Sequence, residues 1–550
     1  MTKNCLPTDY VELRCRSAFS FFEGASTPED LVQRAQELSH ATLSLVDRNG
    51  LYGAPRFFRA AKKSGIRAIT GASLEVRDEI LGVDKQGHQI IDLLVASNRG
   101  YKNLSMLVTR AQHRAPKGKA YATLSDLEEY APDLIACVPS HVNLTSQFLK
   151  QMQRLFPKKT WIGISRNKDR AQDFINRRSQ SLANHVDLPI FAMGDVRYAR
   201  PNGRRVLDAF TCLRNKVTLN QAGRFLLSNG DYHLNTLEDN IQRFSDHPDW
   251  IFATRDISEQ CNFNMERLGY KFPDFPSPNG SENHTWLRTL TFQGAYKRYK
   301  NNLTSRTLNQ LEHELFVIKK LNLSGYFLIV HDITRFSREN NILCQGRGSA
   351  ANSAVCYALG ITAVDPIGME LLFERFLSEE RGEWPDIDID LPSGNQRERV
   401  LQYVFEKYGP SGAAMTSTMI CYKFKSAIRE MGKVLNINKL LLNDISRALS
   451  DAPERNDPCE RNKYLENKIY QTKLPSIKLL LELVDQVIGL PRHLGQHTGG
   501  IVISSGRLDS IVPIEPARMG NRSVIQWDKD DCSHLGLIKI DLLGLGMLTP

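Results

Sequence analysis

The chain has 550 residues, of which 41% are hydrophobic and 24% are charged, and its formal net charge is +10. This length exceeds what one hydrophobic core can organise, and it predicts roughly two to four domains in a globular protein. The positive charge favours a polyanionic partner, either nucleic acid or an anionic membrane surface, although many basic proteins bind neither.

Several classes of protein are excluded by the same inspection. Residues 1–11 hold no apolar run of signal-peptide length, and charges interrupt the most apolar stretch, residues 477–485, too often for a membrane span. The ten cysteines form no C-x-x-C pair and no Cys/His group at zinc spacing. We therefore expect reduced thiols in a cytoplasmic protein.

Strands alternate with helices at the start of the chain. Thr27 and Pro28 form a typical helix start, with Thr27 as the cap and Pro28 at the first helical position. The further elements predicted by the pattern are strands at residues 11–15, 42–46 and 66–69 and a helix at residues 54–63. This alternation favours a parallel α/β architecture, and a barrel is one such fold.

The middle of the chain begins with a weakly informative segment, residues 201–302. The proline-rich run at residues 271–280 is typical of a loop or linker, and a domain boundary is expected somewhat before it. Leucine and isoleucine then recur at helical spacing in residues 308–318, a stripe that normally faces a core.

A glycine-rich loop follows at residues 346–349, Gly-Arg-Gly-Ser, between an apolar strand-like run and a helix predicted over residues 350–359. Two interpretations are open. The loop is either a tight turn with a serine cap, or a phosphate-binding loop in which glycines admit the anion and the helix N-terminus supplies N–H groups. Arg347 and Ser349 would add donors. Its position shortly before an acidic strand favours phosphate binding.

That acidic strand alternates aspartate with isoleucine over residues 385–390. Successive side chains of a strand point to opposite faces, so the three carboxylates share one face while Ile387 and Ile389 face a core. One interpretation is an acidic edge strand in solvent. The other is a site for a hard cation such as Mg²⁺, with phosphate oxygens completing the coordination shell.

The last third of the chain carries further candidates. Residues 416–435 follow a mostly helical pattern with a basic face, and residues 440–490 are predicted to be helical apart from a polar break at 451–462. The stretch at residues 492–500 is predicted as a glycine-rich turn that orients His497, although a purely structural role is nearly as compatible. Residues 536–546 form a predicted strand with Lys539 and Asp541 on one face.

The first part of the chain resembles the PHP (polymerase and histidinol phosphatase) domain that opens bacterial C-family DNA polymerases. The matching stretches are residues 13–17, 45–48, 96–104 and 194–198. Metal-binding members of that family carry histidines at four positions where this chain has Arg14, Arg16, Arg48 and Arg197. Guanidinium offers no lone pair to a metal. The resemblance therefore implies a metal-free structural barrel without phosphoesterase activity, in which arginines neutralise Asp47 and Asp195.

The remainder resembles the alpha subunit of bacterial C-family DNA polymerases, on residues 345–353, 371–377 and 385–390. Residues 342–357 and 525–531 are closest to the error-prone, damage-inducible branch. The implied fold class is α/β, with a PHP-type (β/α) barrel followed by a polymerase-beta-like α+β palm and an inserted helical thumb. The implied boundaries are 1–255 for the barrel, 256–418 and 497–550 for the palm, and 419–496 for the thumb.

The resemblance also implies the site residues. The catalytic carboxylates that would bind two Mg²⁺ ions are Asp386, Asp388 and Asp541, with Asp390 in a supporting role. The residues expected to bind the nucleotide are Arg347, Gly348, Ser349, Lys539, Arg429, Lys425 and His497.

The implied function is template-directed nucleotide addition to a primer 3′-hydroxyl, of the error-prone, translesion kind used in the DNA damage response. The expected partners are primer–template DNA and dNTP, with a sliding clamp and accessory mutagenesis proteins for a full-length protein, and no membrane. The chain resembles an N-terminal portion that lacks fingers and later domains. A replicative polymerase and a catalytically inactive DNA-binding fragment are the alternatives, and the arginine substitutions argue against a phosphoesterase.

Overall fold

The computed structural model describes residues 9–77, 88–277, 280–300, 303–377, 385, 387–450, 460, 464–465 and 474–548. The chain forms two compact units, each assembled from two separate stretches. The first comprises Met1–Arg267 with Met419–Leu494, and the second comprises Leu268–Thr418 with Gly495–Pro550. Within the described residues, no helix is long and apolar enough to cross a membrane.

The first unit is built on an eight-stranded sheet, counted over the described residues, in the order β1-β2-β3-β4-β6-β7-β8, with β5 beside β3. The strands are β1 (Glu12–Cys15), β2 (Thr42–Arg48), β3 (Arg67–Arg77), β4 (Gln89–Val95), β5 (Ala122–Thr123), β6 (Leu134–Pro139), β7 (Thr160–Ser165) and β8 (Ile190–Met193). The helices are α1 (Pro28–Glu37), α2 (Ala54–Ser64), α3 (Asn98–Arg114), α4 (Leu124–Tyr130), α5 (Ser146–Leu155), α6 (Arg170–Val186), α7 (Gly203–Asn215), α8 (Leu219–Ala222), α9 (Leu237–Arg243) and α10 (Pro248–Glu259).

This sheet closes on itself almost completely. Just beyond β8, Val196 lies beside Cys15 of β1, and the backbone of Val196 exchanges hydrogen bonds of 2.9 Å with Arg14 and Arg16. The predicted α/β barrel is thereby confirmed. It is not wholly parallel, because β4 runs antiparallel to both β3 and β6. β3 ends at Arg77 and β4 begins at Gln89, so the connection is shorter than the dozen or more residues that a parallel pair requires.

The predicted start of α1 is confirmed in detail. The Thr27 hydroxyl accepts a hydrogen bond from the backbone N–H of Asp30, and the Asp30 side chain accepts one from the N–H of Thr27. Pro28 occupies the first helical position, where the missing N–H has no helical partner to lose. Local sequence therefore fixes where this helix begins.

The stretch 419–494 contributes helices to the first unit. These are α16 (Phe424–Val434), α17 (Lys439–Ser450) and α18 (Pro475–Val487). They share a hydrophobic cluster with α7 of the barrel, in which Tyr422 stacks on Phe210 at 5.9 Å between ring centroids. The prediction of a mostly helical segment at 416–435 is wrong for its first part, because Ala413–Cys421 is a strand, in which Thr416, Thr418 and Ile420 are β-branched. The predicted polar break at 451–462 lies outside the described residues except Glu460.

The second unit is built on a seven-stranded sheet in the described residues, in the order β13-β14-β11-β12-β15-β10-β9. The strands are β9 (Gln345–Arg347), β10 (Asp388–Pro392), β11 (Ala413–Cys421), β12 (Pro491–Ile503), β13 (Ile514–Pro516), β14 (Ser523–Asp528) and β15 (Lys539–Leu545). The helices are α11 (Asn283–Tyr299), α12 (Ser305–Lys320), α13 (Ser324–Glu339), α14 (Ala354–Ala358), α15 (Asn395–Tyr408) and α19 (Lys529–His534).

The two predicted strands that carry acids are neighbours in this sheet. β10 pairs in parallel with β15 on one side and antiparallel with β9 on the other. Ile387 and Ile389 are fully buried, as the alternation of isoleucine with aspartate predicts. The sheet therefore supplies a buried face that fixes β10 in register and a second face on which its acids collect.

Candidate active site

One row of residues crosses four adjacent strands of the second unit. Asp388 on β10 is directly paired with Arg347 on β9 and with Asp541 on β15, and Asp541 is paired with Gly500 on β12. Residues paired in this way send their side chains to the same face of the sheet. Two acids that are distant in sequence, Asp388 and Asp541, therefore lie side by side.

The side chains of Lys539 and Arg347 flank these acids. Lys539 Nζ donates a 2.7 Å hydrogen bond to Asp541 Oδ2, while Arg347 Nε lies 3.1 Å from Asp390 Oδ2 and its Nη2 lies 3.8 Å from Asp388 Oδ2. The side chains of Asp541 and Asp390 are only 9% and 8% exposed, whereas that of Asp388 is 26% exposed. Like charges this close repel, so the flanking cations stabilise the arrangement.

The donor set of this row fits a hard cation. Oδ1 of Asp541 and Oδ1 of Asp390 are buried, and neither has a hydrogen-bond partner among the described residues. A buried carboxylate oxygen without a partner is costly, and such oxygens are the ligands that Mg²⁺ prefers. The third predicted ligand, Asp386, lies outside the described residues, within which no group of three or more His, Cys, Asp or Glu side chains forms a metal site.

The glycine-rich loop lies beside the acids. Gly348 has a φ of +74°, a conformation that glycine adopts without strain, and a Cβ at this position would lie 3.9 Å from Asp388 Oδ2. The loop continues as a short 3₁₀ turn over Gly348–Asn352. A cavity of about 600 Å³ opens here, and its lining residues are Gly348, Ser349, Asn352, Glu374 and Arg375. Asn352, Glu374 and Arg375 were not predicted as site residues, although they lie in two of the stretches that carry the family resemblance.

The helix after this loop is shorter than predicted. The 3₁₀ turn replaces the first part of the predicted helix, and α14 begins only at Ala354. The first backbone N–H groups of α14, those of Ala354 and Val355, donate to the carboxylate of Glu314. The prediction that the helix N-terminus offers free N–H groups to a phosphate is therefore wrong.

His497 contacts the acid row, although its surroundings differ from the prediction. The predicted turn at 492–500 is wrong, since these residues belong to the long strand β12. Nδ1 of His497 accepts hydrogen bonds from the N–H of Gly500 at 2.8 Å and of Gly499 at 3.3 Å. Nδ1 therefore carries a lone pair and Nε2 carries the proton. Nδ1 lies 3.8 Å from Asp541 Oδ1, and because both atoms are acceptors this contact is not a hydrogen bond.

Arg397 of α15 holds two of these strands together where their ladder ends. The pairing of β12 with β15 stops at Gly500 and Asp541. Immediately beyond, Arg397 Nε donates to the carbonyl oxygen of Leu542 at 2.8 Å, and its Nη2 donates to the carbonyl oxygen of Thr498. The guanidinium thus bridges the strands that carry Asp541 and His497.

Lys425 and Arg429 belong to the other unit. Both have exposed side chains on α16, and Arg429 Nε lies 3.6 Å from the carboxylate of the neighbouring Glu430. Two of the predicted nucleotide-binding residues are therefore in the first unit, while the remaining described ones are in the second.

Arginines neutralise Asp195 in the barrel, as predicted. Arg14 Nε lies 3.1 Å from Asp195 Oδ1 and 3.2 Å from Asp92 Oδ2, and Arg197 Nη2 lies 2.9 Å from Asp195 Oδ2. Burial alone would raise the pKa of Asp195, but Arg197, Arg14 and Arg16 outweigh burial and hold this pKa at about 2. Asp195 is consequently a buried anion with two direct cationic partners.

Asp47 differs from the prediction. Its hydrogen bonds come from the backbone N–H and hydroxyl of Ser17 and from the hydroxyl of Ser20, at 2.7 to 3.0 Å, and not from an arginine. The donors to the Asp47 carboxylate are thus serines. Arg16 pairs instead with Glu23, and Arg48 pairs with Glu75, each at 3.0 Å. Burial, with the nearby Arg14 and Arg197, lowers the pKa of Arg16 to about 9.

Residues 285–544 match the family described as the bacterial DNA polymerase III alpha NTPase domain, and residues 12–185 match the PHP domain. The chain is 40% identical, over 98% of its length, to proteins named error-prone DNA polymerase from Pseudomonas aeruginosa, Dechloromonas aromatica and Mycobacterium tuberculosis. It covers 51%, 52% and 49% of them, so the chain spans about half the length of these curated relatives.

A solved structure of an amidohydrolase from Chromobacterium violaceum aligns with 34% of this chain and 88% of its own. The two are 14% identical, and the TM-score of 0.24 is too low to support an inference.

Proposed function

Because the chain belongs to the bacterial DNA polymerase III alpha family, we propose that it carries the active site of an error-prone DNA-directed DNA polymerase. The reaction is template-directed transfer of a nucleotide from dNTP to a primer 3′-hydroxyl. The single observation that carries this proposal is the direct pairing of Asp388 with Asp541 beside the Gly348–Asn352 turn. Nucleotidyl transfer requires metal-binding carboxylates close to hydrogen-bond donors that bind the phosphates.

Asp388 and Asp541, together with Asp386, are proposed to hold two Mg²⁺ ions. Such ions, when bound, neutralise the triphosphate and lower the pKa of the primer 3′-hydroxyl. The support is the oxygen donor set, with a buried Asp541 Oδ1 that has no partner among the described residues. Oδ2 of Asp390 is paired with Arg347. Asp390 is therefore proposed to orient Arg347 and to take no direct part in the reaction.

The triphosphate is proposed to bind in the cavity of about 600 Å³ at the glycine-rich turn. Gly348 and Ser349 would donate to the phosphate oxygens, and Arg347 and Lys539 would contribute positive charge from the adjacent strands. His497 would contribute a donor through Nε2, because Nδ1 is occupied by two backbone N–H groups. These groups bind and orient the substrate, and they form no covalent bond to it.

Lys425 and Arg429 are proposed to contact the DNA backbone or the incoming nucleotide. Their support is exposure and charge on one helix, α16, within the stretch that the resemblance assigns to a thumb. The assignment of residues 1–255 to the barrel, 256–418 and 497–550 to the palm and 419–496 to the thumb is part of this proposal.

The barrel is proposed to be structural, with no bound metal and no phosphoesterase or proofreading activity. Its support is the set of arginines at the positions where metal-binding PHP domains carry histidines, two of which directly pair with Asp195. Elemental analysis of purified protein distinguishes the alternatives. Zinc or manganese bound stoichiometrically at the barrel would overturn this proposal.

The proposed partners follow from the reaction. They are primer–template DNA and dNTP, and in the complete natural polypeptide a sliding clamp and accessory mutagenesis proteins. Since the template is bacterial chromosomal DNA, the proposed location is the cytoplasm, in association with the nucleoid.

Primer extension tests the proposed function. The protein is incubated with a primed template, all four dNTPs and Mg²⁺, and the expected result is stepwise extension that stops when EDTA removes the metal. Extension across a damaged template base, and frequent misincorporation, would distinguish the error-prone activity from a replicative one. DNA binding without extension by the complete natural polypeptide would contradict the proposal.

Gly500 provides a second, local test of the acid row. A Cβ at this position would lie 2.9 Å from Asp541 Oδ1 and 3.0 Å from both His497 Nδ1 and Thr416 Oγ1. We expect Gly500→Ala to displace Asp541 and to lower kcat for primer extension by about 10- to 100-fold, since small displacements of reacting groups have effects of this size.

The matched control for this substitution is Gly506→Ala. No atom lies within 4 Å of a Cβ at Gly506, and this glycine follows the same strand. Its kcat and its melting temperature are expected to equal those of the wild type. Equal kcat values for the two alanine variants would show that Gly500 does not constrain the site.

A further inference from the structure

Glu314 is a fully buried carboxylate on α12. Its neighbours on the helix include Leu311, Leu315 and Ile318, which are also buried and form the apolar stripe that the sequence predicts. A charged side chain in such a position is strongly unfavourable unless donors surround it. The surroundings of Glu314 therefore determine why a glutamate is tolerated there.

Four donors satisfy both oxygens of this carboxylate. Oε1 accepts from Gln310 Nε2 at 3.0 Å and from the backbone N–H of Ala354 at 2.9 Å. Oε2 accepts from the hydroxyl of Ser353 at 2.7 Å and from the backbone N–H of Val355 at 3.0 Å. Three of the four donors therefore come from one stretch of three consecutive residues.

That stretch immediately follows the glycine-rich turn. Ser353 caps α14, because its hydroxyl also accepts a hydrogen bond of 3.1 Å from the N–H of Cys356. The other end of the loop is held by the pairing of β9 with β10 and by the hydrogen bond from Gly346 N to the Ile361 carbonyl oxygen at 2.7 Å. The turn Gly348–Asn352 is thus fixed at its start by a strand pair and at its end by Glu314.

We propose that Glu314 is a positioning residue for the triphosphate-binding turn, an inference that rests on the proposed function. The carboxylate occupies the N-terminus of α14 and excludes the substrate from it. The phosphates are thereby directed to the Gly348–Asn352 turn, whose backbone N–H groups and Ser349 hydroxyl keep a fixed orientation. Glu314 acts through the loop and does not touch the nucleotide.

The test is the substitution Glu314→Gln. Glutamine keeps the volume but replaces one acceptor oxygen by an NH₂ group, which leaves at least one of the N–H groups of Ala354 and Val355 without an acceptor. We expect KM for dNTP in primer extension to rise about tenfold, because the turn loses its fixed orientation. We expect kcat and the affinity for primer–template DNA to stay within about twofold of the wild type.

Glu312→Gln is the matched control, since Glu312 lies on the same helix with an exposed side chain. It should leave KM, kcat and the melting temperature unchanged. Ser353→Ala removes one of the four donors, together with the hydroxyl that caps α14, and should raise KM by a smaller factor, which keeps the inference testable if Glu314→Gln folds poorly. The inference would be overturned if KM were unchanged in both the Ser353 and the Glu314 variants. It would also be overturned if kcat fell in proportion to a fall in melting temperature.

Amide hydrogen exchange gives a readout that does not depend on activity. The amides of Ala354 and Val355 are expected to exchange faster in Glu314→Gln than in Glu312→Gln, while exchange elsewhere in the second unit stays unchanged. If the complete natural polypeptide fails to extend a primer, the proposed function is refuted. Unchanged exchange at these two amides refutes the role of Glu314 separately.

Discussion

Replacing Asp541 with asparagine is expected to lower kcat for nucleotide addition by about 10³-fold, equivalent to about 4 kcal/mol of transition-state stabilisation. The amide keeps the shape of the side chain but loses the negative charge that a divalent cation requires. It also loses the pairing with Lys539 Nζ, now 2.7 Å from the carboxylate. Asp388→Ala should have a comparable effect, because Asp388 is the directly paired acid on the neighbouring strand.

Single-turnover primer extension measures this effect, and binding of primer–template DNA should be unchanged in both variants. Asp530→Asn is the control, since Asp530 is exposed on the short helix α19 of the same unit. It is expected to retain the wild-type rate. Near-normal extension by the Asp541 or Asp388 variant would refute the assignment of these carboxylates.

The second large effect is expected in the barrel, on stability. Arg14→Met removes the guanidinium that lies between Asp195 and Asp92, and both aspartates are at least nine-tenths buried. Asp92 then loses this cation, whereas Asp195 keeps Arg197, and removing one partner of a buried ion pair typically costs about 3–5 kcal/mol. We expect the free energy of unfolding at pH 7, measured by urea denaturation, to fall by about this amount.

The pH dependence of the free energy of unfolding provides a second test of this prediction. The pKa of Asp195 is lowered in the folded state from 3.8 to about 2, so its contribution to stability is present above about pH 4 and is lost as the pH falls towards 2. Without Arg14 this pKa rises towards its unfolded value, so the loss of stability between about pH 4 and pH 2 should become smaller. Arg154→Met, at a side chain that is 72% exposed, should change stability by less than about 0.5 kcal/mol. Equal free energies of unfolding for the two methionine variants would show that the Arg14 ion pairs do not stabilise the fold.

The acidic strand illustrates what local sequence can predict. The alternation in residues 385–390 is sufficient to place Ile387 and Ile389 in the core and the aspartates on the other face, and the burial of both isoleucines confirms it. The identity of the neighbouring strand is not predictable from this alternation. The pairing of Asp388 with Asp541 joins distant segments, and only the resemblance to a polymerase family indicated it, because periodicity carries no information about which strands pair.

The stretch around His497 shows why some predictions fail. Two adjacent glycines, Gly499 and Gly500, favoured a turn, yet both lie in β12. A Cβ at Gly499 would lie 2.7 Å from Leu543 Cδ2, and one at Gly500 would lie 2.9 Å from Asp541 Oδ1. Glycine is required here for close approach within a sheet, and a local pattern does not distinguish that requirement from a turn.

Glu314 and Arg397 were not predicted for a related reason. A glutamate or an arginine on an amphipathic helix normally points to solvent, and both residue types are common on exposed helix faces. Their partners include backbone groups of distant segments, namely the start of α14 for Glu314 and the carbonyl oxygens of Thr498 and Leu542 for Arg397. Only the tertiary structure brings these groups together, so composition and spacing do not reveal the contacts.

The most direct test of the acid row is anomalous diffraction from crystals grown with Mn²⁺, primer–template DNA and an incoming dNTP, with a primer that lacks its 3′-hydroxyl. We expect two manganese peaks within coordination distance of the Asp388 and Asp541 carboxylates, with the triphosphate at the Gly348–Asn352 turn. Manganese bound elsewhere, or a nucleotide bound away from this turn while Asp388 and Asp541 stay unliganded, would contradict the account.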